Sequence, residues 1–400
     1  MAMTGRDGAL SMGVEEEFLL VDRATRSSVP RAHLVVPHAA RSLGPQAQHE
    51  FLATQVEACT RPVTSAAALR SELARTRRAM AAAAERAGCL LVASGTAVLP
   101  SRHPLPLTPS DRYRRVAAHV GPIADQTGGE ICGCHVHLGD LSRADALAIS
   151  AHLRPWLPVL QALCVNSPFC EGRDRGAASM RTGRYLAWPT CGPAPVLDPD
   201  EYERTMRRLV AQRVILDRRM LYWYARPSEH LPTLEVRVAD SNADPGVPLL
   251  LALLLRALAH TFLAAHRRGT PPPPASAVVL REAHRQAALG GLAGAGTDPR
   301  TGCRVPIPRL IADLAEMAAP ALARTGDLET VRLLLHRRLT CGTGADRQRA
   351  VFARRHSLTD VVDDLARLTA DPEADGAPAP ALGARSGPAR VGGRAAAGWA

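Results

Sequence analysis

A run of three carboxylates passes directly into the apolar stretch Phe18 to Val21, and Gly13 to Val21 (GVEEEFLLV) is predicted to be a strand. Short apolar runs predict further strands over Cys89 to Ala93 and Ile131 to Leu138. A hairpin is predicted from Leu221 to Arg226 and Thr233 to Asp240, turning near Pro227–Ser228. Helical spacing runs from Thr64 to Ala87, with Gly88 suited to the C-cap. Ser142 to Asp145 carries a capping signal that opens a helix. Asp198–Pro199 supplies an N-cap and a first-turn proline for a helix reaching about Arg218. Beyond Gly246 helical spacing dominates, over 248–266, 277–289, 306–324, 327–339, 343–354 and 358–369, with Pro271 to Pro274 as a stiff linker. Strands before residue 245 and helices after it predict an α+β fold rather than alternating βαβ units.

Composition bounds this picture. The 400 residues can bury one large core or two ordinary ones. After Asp371 the chain turns to Ala, Gly, Pro and Arg, and 371–400 is expected to be a disordered tail. A flexible N-terminus is expected over 1–11 and one catalytic domain over 12–370. The N-terminus lacks the apolar core of a signal peptide, and nine scattered cysteines suit free thiols in a cytoplasmic protein. The apolar stretch Pro248 to Ala265 contains Arg256 and His260 and reads as a buried helix, so no membrane partner is expected.

The net charge is +11, and all 49 basic residues are arginine. Without a lysine the chain can hold neither a P-loop nor a Schiff-base centre in its usual form. A protein of this kind that uses ATP has to handle phosphates with arginine and metal ions. No run of five like charges occurs and aromatics are 4%, so nucleic acid is not an expected partner.

Several segments carry candidate chemistry. On a strand, Glu15 and Glu17 share one face while Glu16 turns to the other. Two adjacent carboxylates raise each other's pKa unless a cation lies between them, and a hard divalent ion resolves this. A solvated edge strand is the competing reading. In Cys132–Gly133–Cys134–His135–Val136–His137 the two histidines share a face opposite the two cysteines, which disfavours one tetrahedral zinc site. The histidines then act as ligands or phosphate contacts, or else are satisfied core residues. Glu235 and Arg237 also share a face, suited to a metal and a phosphate or carboxylate respectively, or to a plain ion pair. Glu50 and Glu57 (HEFLATQVEACT) fall on one helical face, or in an irregular strand. The segment Asn166 to Arg184 brings Arg173, Asp174, Arg175, Arg181 and Arg184 among small residues, as an anion-binding or simply exposed loop.

In this order GVEEEFLLVD (13–22), HEFLATQVEACT (49–60), GCHVHLGD (133–140), NSPFCEGRDRGAASMR (166–181), RPSEHLPTLEVRVAD (226–240), TDPRTGCRVPI (297–307) and GTGADRQRAVFAR (342–354) resemble the type 2 glutamate–cysteine ligases, or carboxylate–amine ligases, over about residues 12 to 370. The resemblance implies a glutamine-synthetase-like fold: a curved antiparallel sheet forming a catalytic funnel, helices on its outer face and a helical C-terminal half. It implies ATP and Mg²⁺ or Mn²⁺, small-molecule carboxylate and amine substrates, and amide formation through an acyl phosphate. It places metal ligands at Glu15, Glu17, Glu57, His137 and Glu235. It points to His135, Arg173, Arg181 and Arg237 for the nucleotide, with Arg181 and Arg237 catalytic, and it leaves the cysteines without a catalytic part. A homo-oligomer is compatible with it. The segment Ser94–Gly95–Thr96–Ala97–Val98 departs from the Gly–Thr–His–Pro of many relatives, and Cys170 stands where a larger residue is common. Both departures bear on the acid and amine. The alternatives are a different substrate pair, or a metal-dependent amide hydrolase on the same Glu/His face.

Overall fold

The sheet that positions the site is assembled from segments far apart in the chain. The computed structural model describes residues 10–121, 123, 129–298 and 300–371. The expected tail 371–400 thus lies outside them apart from Asp371, as do residues 1–9 of the expected flexible N-terminus. Leu10 is buried, and Ser11 donates to Asp140 at 3.0 Å.

The strands in chain order are β1 (Met12–Asp22), β2 (Ala47–His49), β3 (Gln55–Cys59), β4 (Cys89–Val92), β5 (Gly133–Leu138), β6 (Phe169–Cys170), β7 (Arg173–Asp174), β8 (Ala225–Pro227), β9 (Leu234–Asp240), β10 (Ala295–Thr297) and β11 (Arg304–Pro306). Seven of them form one antiparallel sheet in the order β2-β3-β1-β5-β9-β8, with β4 added to β1. β3 borders one side of β1. On its other side β5 pairs with Met12 to Glu16, and β4 takes over from Leu19 to Asp22.

The helices are α1 (Ala32–Leu43), α2 (Ala66–Arg86), α3 (Asp111–Val120), α4 (Arg143–Leu153), α5 (Leu157–Leu163), α6 (Met180–Tyr185), α7 (Pro199–Ala211), α8 (Gly246–Arg267), α9 (Ala277–Gly290), α10 (Ile307–Thr325), α11 (Leu328–Cys341), α12 (Gly344–Arg355) and α13 (Leu358–Ala370). Their starts follow the capping chemistry in the sequence. Ser65 and Ser142 accept from backbone amides of the first turn, and Asp198 with Glu201 forms a reciprocal capping box.

The α+β organisation is as expected. Val14, Cys134, Val136, Leu138, Leu234 and Val236 of the sheet join one apolar core with α4, α5, α8 and α10. A second core gathers Phe18, Leu20, Val56 and Leu91 with α1, α2 and α13. Among the described residues α8 is the one helix long and apolar enough to cross a membrane, but 83% of that stretch is buried inside the protein. Its Arg256 is buried too, and donates to Asp327 and to the Thr64 carbonyl. The helix is therefore a packed core element.

Some boundaries differ. α7 stops at Ala211 rather than near Arg218, because Arg213 adopts φ 54° and Asp217 caps a separate short turn. The Glu50–Glu57 segment is not helical: residues 50–54 bend and turn into β3, so strand pairing rather than a helical face decides how Glu57 points. The ladder partner expected from Leu221 is confined to Ala225–Pro227.

Candidate metal and nucleotide site

Directly opposed residues on neighbouring antiparallel strands project from the same face of the sheet. Across β1 and β3, Glu15 opposes Cys59 and Glu17 opposes Glu57. Across β1 and β5, Glu15 opposes His135 and Gly13 opposes His137. Across β5 and β9, His137 opposes Glu235, which in turn opposes Arg226 of β8. A bulge between β5 and β9 lies beside His135, and such irregularities re-aim side chains next to sites.

One face therefore gathers the predicted ligands. His137 Nε2 lies 3.1 Å from Glu15, and His135 Nδ1 lies 3.5 Å from Glu15 and 4.0 Å from Glu235. His135 Nε2 lies 3.6 Å from Glu17, whose other oxygen accepts from the Gly133 amide at 2.5 Å. His137 Nδ1 is 2.9 Å from Thr233 Oγ1. If that nitrogen donates, Nε2 turns its lone pair into the cluster. Glu16 faces the other way, as alternation predicts, and pairs with buried Arg77.

The charges are unevenly balanced. Burial opposes ionisation of Glu15, yet the adjacent imidazoles of His135 and His137 hold its carboxyl well below the usual range. Burial likewise opposes ionisation of Glu235, but Arg226 and Arg237 hold it low. At the other end burial and the neighbouring Glu15, Glu50 and Glu17 push Glu57 well up, and burial with Glu17 brings Glu50 to about 8. His137 is raised by Glu15 against its burial, while burial and Arg237 lower His135. At the Glu57 end burial and crowded carboxyls thus favour the protonated forms, whereas Arg226 and Arg237 keep Glu235 ionised.

These residues fit divalent ions. Both ring nitrogens of His135 and Nε2 of His137 are buried without a hydrogen-bond partner, which in a native interior calls for a ligand. One donor atom each from Glu15, His137 and Glu235 lies within 4.8 Å of the other two, and the same holds for Glu15, Glu57 and Cys59. Glu15 is common to both groups, as a carboxylate bridging two ions would be.

The expected arginines divide. Arg181, at the start of α6, is buried; its guanidinium donates weakly to the Arg237 carbonyl at 3.4 Å and its Nε has no partner. It reaches this position because Gly133 has no side chain: a Cβ there would come within 2.9 Å of both Arg181 Cζ and His135 Nε2. Arg181 also lies 4.9 Å over the Tyr185 ring, and Arg237 donates to the Tyr185 hydroxyl at 3.0 Å and to Glu235. Asp240 ties the loop before α6 to β9 by accepting from Ser167, Ser179 and the Asn166 amide at 2.7 to 2.8 Å. Arg173 is exposed on the β6–β7 hairpin, outside these contacts, beside an Asp174 held by Arg349.

Cys59 and Arg226 join this face without having been singled out. Period two from Glu57 points to Cys59, and pairing of the predicted hairpin points to Arg226. A cavity of 630 Å³ opens elsewhere, lined by Arg70, Leu250, Leu334, Arg338 and Gly344, and none of the carboxylate cluster lines it.

Solved structures share this architecture. A Francisella tularensis glutamate–cysteine ligase in complex with AMP superposes with TM-score 0.65 at 13% identity, covering 92% of this chain and 90% of that one. A bifunctional glutathione synthetase from Pasteurella multocida gives TM-score 0.58 at 14% identity, over 92% of this chain and 52% of that one. Sequence relatives are nearer. A provisionally named glutamate–cysteine ligase 2-1 of Saccharopolyspora erythraea is 42% identical over 357 residues, 89% of this chain and 94% of the relative. A provisionally named glutamate–cysteine ligase 2-3 of Mycolicibacterium smegmatis is 40% identical over 363 residues, 90% of this chain and 98% of the relative. Residues 11–367, which hold every strand of the site sheet, match the description "Glutamate-cysteine ligase family 2(GCS2)", and the chain belongs to that family.

Proposed function

We propose that this protein joins a small-molecule carboxylate to an amine through an acyl phosphate, with Glu15, Glu17, Glu57, His137 and Glu235 holding Mg²⁺ or Mn²⁺ and Arg181 and Arg237 binding anionic groups. Membership of the family makes it an ATP-dependent ligase that forms a carbon–nitrogen bond. The observation that carries the site assignment is the shared Glu15, in reach of both His137–Glu235 and Glu57–Cys59, beside imidazole nitrogens without partners.

The chemistry divides among the residues. A substrate carboxylate oxygen bonds to the γ-phosphorus of ATP while the bond to the ADP oxygen breaks. The amine nitrogen then bonds to the acyl carbon, inorganic phosphate departs with the electron pair of the broken C–O bond, and the nitrogen loses a proton. Divalent ions, when bound, offset negative charge on the phosphate oxygens. Arg181 offers a buried guanidinium with an unused Nε, suited to the transferred phosphoryl group or the acid. Arg237 is turned toward the cluster by Tyr185 and Glu235, and Thr233 orients His137. Glutamate and cysteine, the pair in the family name, are the first substrates to test.

The test is phosphate release from ATP and Mg²⁺ across a matrix of acids and amines. The expected result is turnover that needs one acid and one amine together and disappears in Glu15→Gln. Amide cleavage without ATP would instead support a hydrolase.

A further inference from the structure

We propose that Cys59 makes the Glu57 end of the cluster a mixed oxygen–sulfur site that takes a thiophilic divalent cation, Zn²⁺, in preference to Mg²⁺. The inference deepens the ligase reading and rests on it only for the consequence to turnover.

The site follows from strand register. Glu15 lies directly opposite Cys59, and Glu57 is two residues before Cys59 on β3, so all three project from one face. Their donor atoms lie within 4.8 Å of one another, and Cys59 Sγ is 3.9 Å from Glu57 Oε1. Sulfur at about 2.3 Å and oxygen at about 2.0 Å from a tetrahedral zinc stand about 3.5 Å apart. Small side-chain adjustments therefore bring the three donors onto one ion. Gln48 Nε2 lies 3.5 Å from Sγ and holds the thiol in place. Cys59 is only partly covered, which leaves room for water as a fourth ligand. Cys134 is buried in the apolar core behind the sheet and Cys132 in the second core, so neither competes for this position.

The neighbouring position points to a cation independently of the cysteine. There the buried His137 Nε2 has no hydrogen-bond partner, and it meets the same Glu15. Thiolate selects zinc-like ions, whereas Mg²⁺ demands oxygen ligands in an octahedron. On binding, the thiol releases its proton to solvent and no electrons are exchanged. Because Glu15 belongs to both positions, an ion seated on Cys59 draws it away from the hard-ion site, and Zn²⁺ suppresses Mg²⁺-dependent turnover.

The test uses the full chain, stripped of metal and titrated with Co²⁺ without nucleotide or substrates. The expected result is a saturable near-ultraviolet sulfur-to-cobalt charge-transfer band that Zn²⁺ abolishes. The band should vanish in Cys59→Ser and Cys59→Ala and persist in Cys303→Ser, with thermal melts verifying that each variant is folded. Zn²⁺ affinity by competition with a chelating dye should fall at least about tenfold in the Cys59 variants. Absence of the band in wild type at saturating Co²⁺, its survival in Cys59→Ser or its loss in Cys303→Ser overturns the proposal. A chain that shows the band but releases no phosphate with any acid–amine pair fails as a ligase and keeps the metal site. Turnover without the band does the reverse.

Discussion

Glu16 and Arg77 form a bidentate ion pair, at 2.6 and 3.0 Å, buried directly behind the strand whose Glu15 and Glu17 face the site. Arg77 also donates to the carbonyls of Asn242 and Ala243 at 2.6 Å, just beyond the end of β9. One guanidinium therefore holds β1, α2 and the segment between β9 and α8 in a fixed relation. Arg77→Met leaves a carboxylate buried and unpaired and is expected to cost about 3–5 kcal/mol of stability. Chemical denaturation of the variant against wild type checks it, and a cost below about 1 kcal/mol would show that Glu16 finds another partner.

Gly133→Ala is expected to damage the site more than the fold. The added methyl meets Arg181 and His135 at once. Overpacking of this kind costs about 1–3 kcal/mol, whereas displacing Arg181 removes a charged contact to the bound anion. Calorimetry with ATP should show affinity falling by about tenfold or more, as loss of a charge-assisted contact implies. Unchanged affinity would place Arg181 outside the nucleotide site.

Arg181→Ala and Arg173→Ala should behave differently although both arginines lie in the same segment. Arg181 is buried with an unpaired Nε, whereas Arg173 is exposed on a hairpin. Truncating the first should lower ATP affinity or turnover by about tenfold or more, and truncating the second by less than about twofold. Equal effects would mean that the hairpin folds over the ligand.

The raised carboxyls predict a pH dependence that divalent ions cancel. Glu50 titrates at about 8 in the folded chain and near 4.5 when unfolded. Between these values the native state holds a proton that the unfolded chain has released, so stability falls as pH rises. His137, raised above 6.5, adds to the same slope, while the opposing contribution of the lowered His135 is complete above 6.5. In EDTA the melting temperature should therefore decline from pH 6.5 to 8, and saturating Mn²⁺ should flatten the decline. A flat profile in EDTA would contradict the crowding of Glu50 and Glu57.

Alternation within a strand is local, so the common face of Glu15 and Glu17, of His135 and His137 and of Glu235 and Arg237 was legible from period two alone. Register is not local. That Cys59 stands against Glu15 and Arg226 against Glu235 depends on which strands pair and where they start, which alternation cannot report. Arg181 and Arg173 look alike in the sequence, and only packing under Gly133 separates them. The helix α1 escapes the pattern because Pro37 sits inside it, and the overlong reading of α7 comes from a helical period that continues past Arg213, where the backbone turns left-handed. The α+β division and the N-caps at Ser142 and Asp198 were legible because a few adjacent residues encode them.

The way β5 hands the edge of β1 to β4, while β9 closes the far side of β5, has a consequence during synthesis. Glu15 leaves the ribosome early, but Glu235 and the Arg226 that pairs with it arrive only after more than half the chain has been made. Until then the acidic strand has neither its histidine strand locked in register nor its balancing guanidinium. The face that joins Glu15, His137 and Glu235 is therefore complete only when β9 docks on β5, whereas Glu15, Glu57 and Cys59 all come from the first strands made.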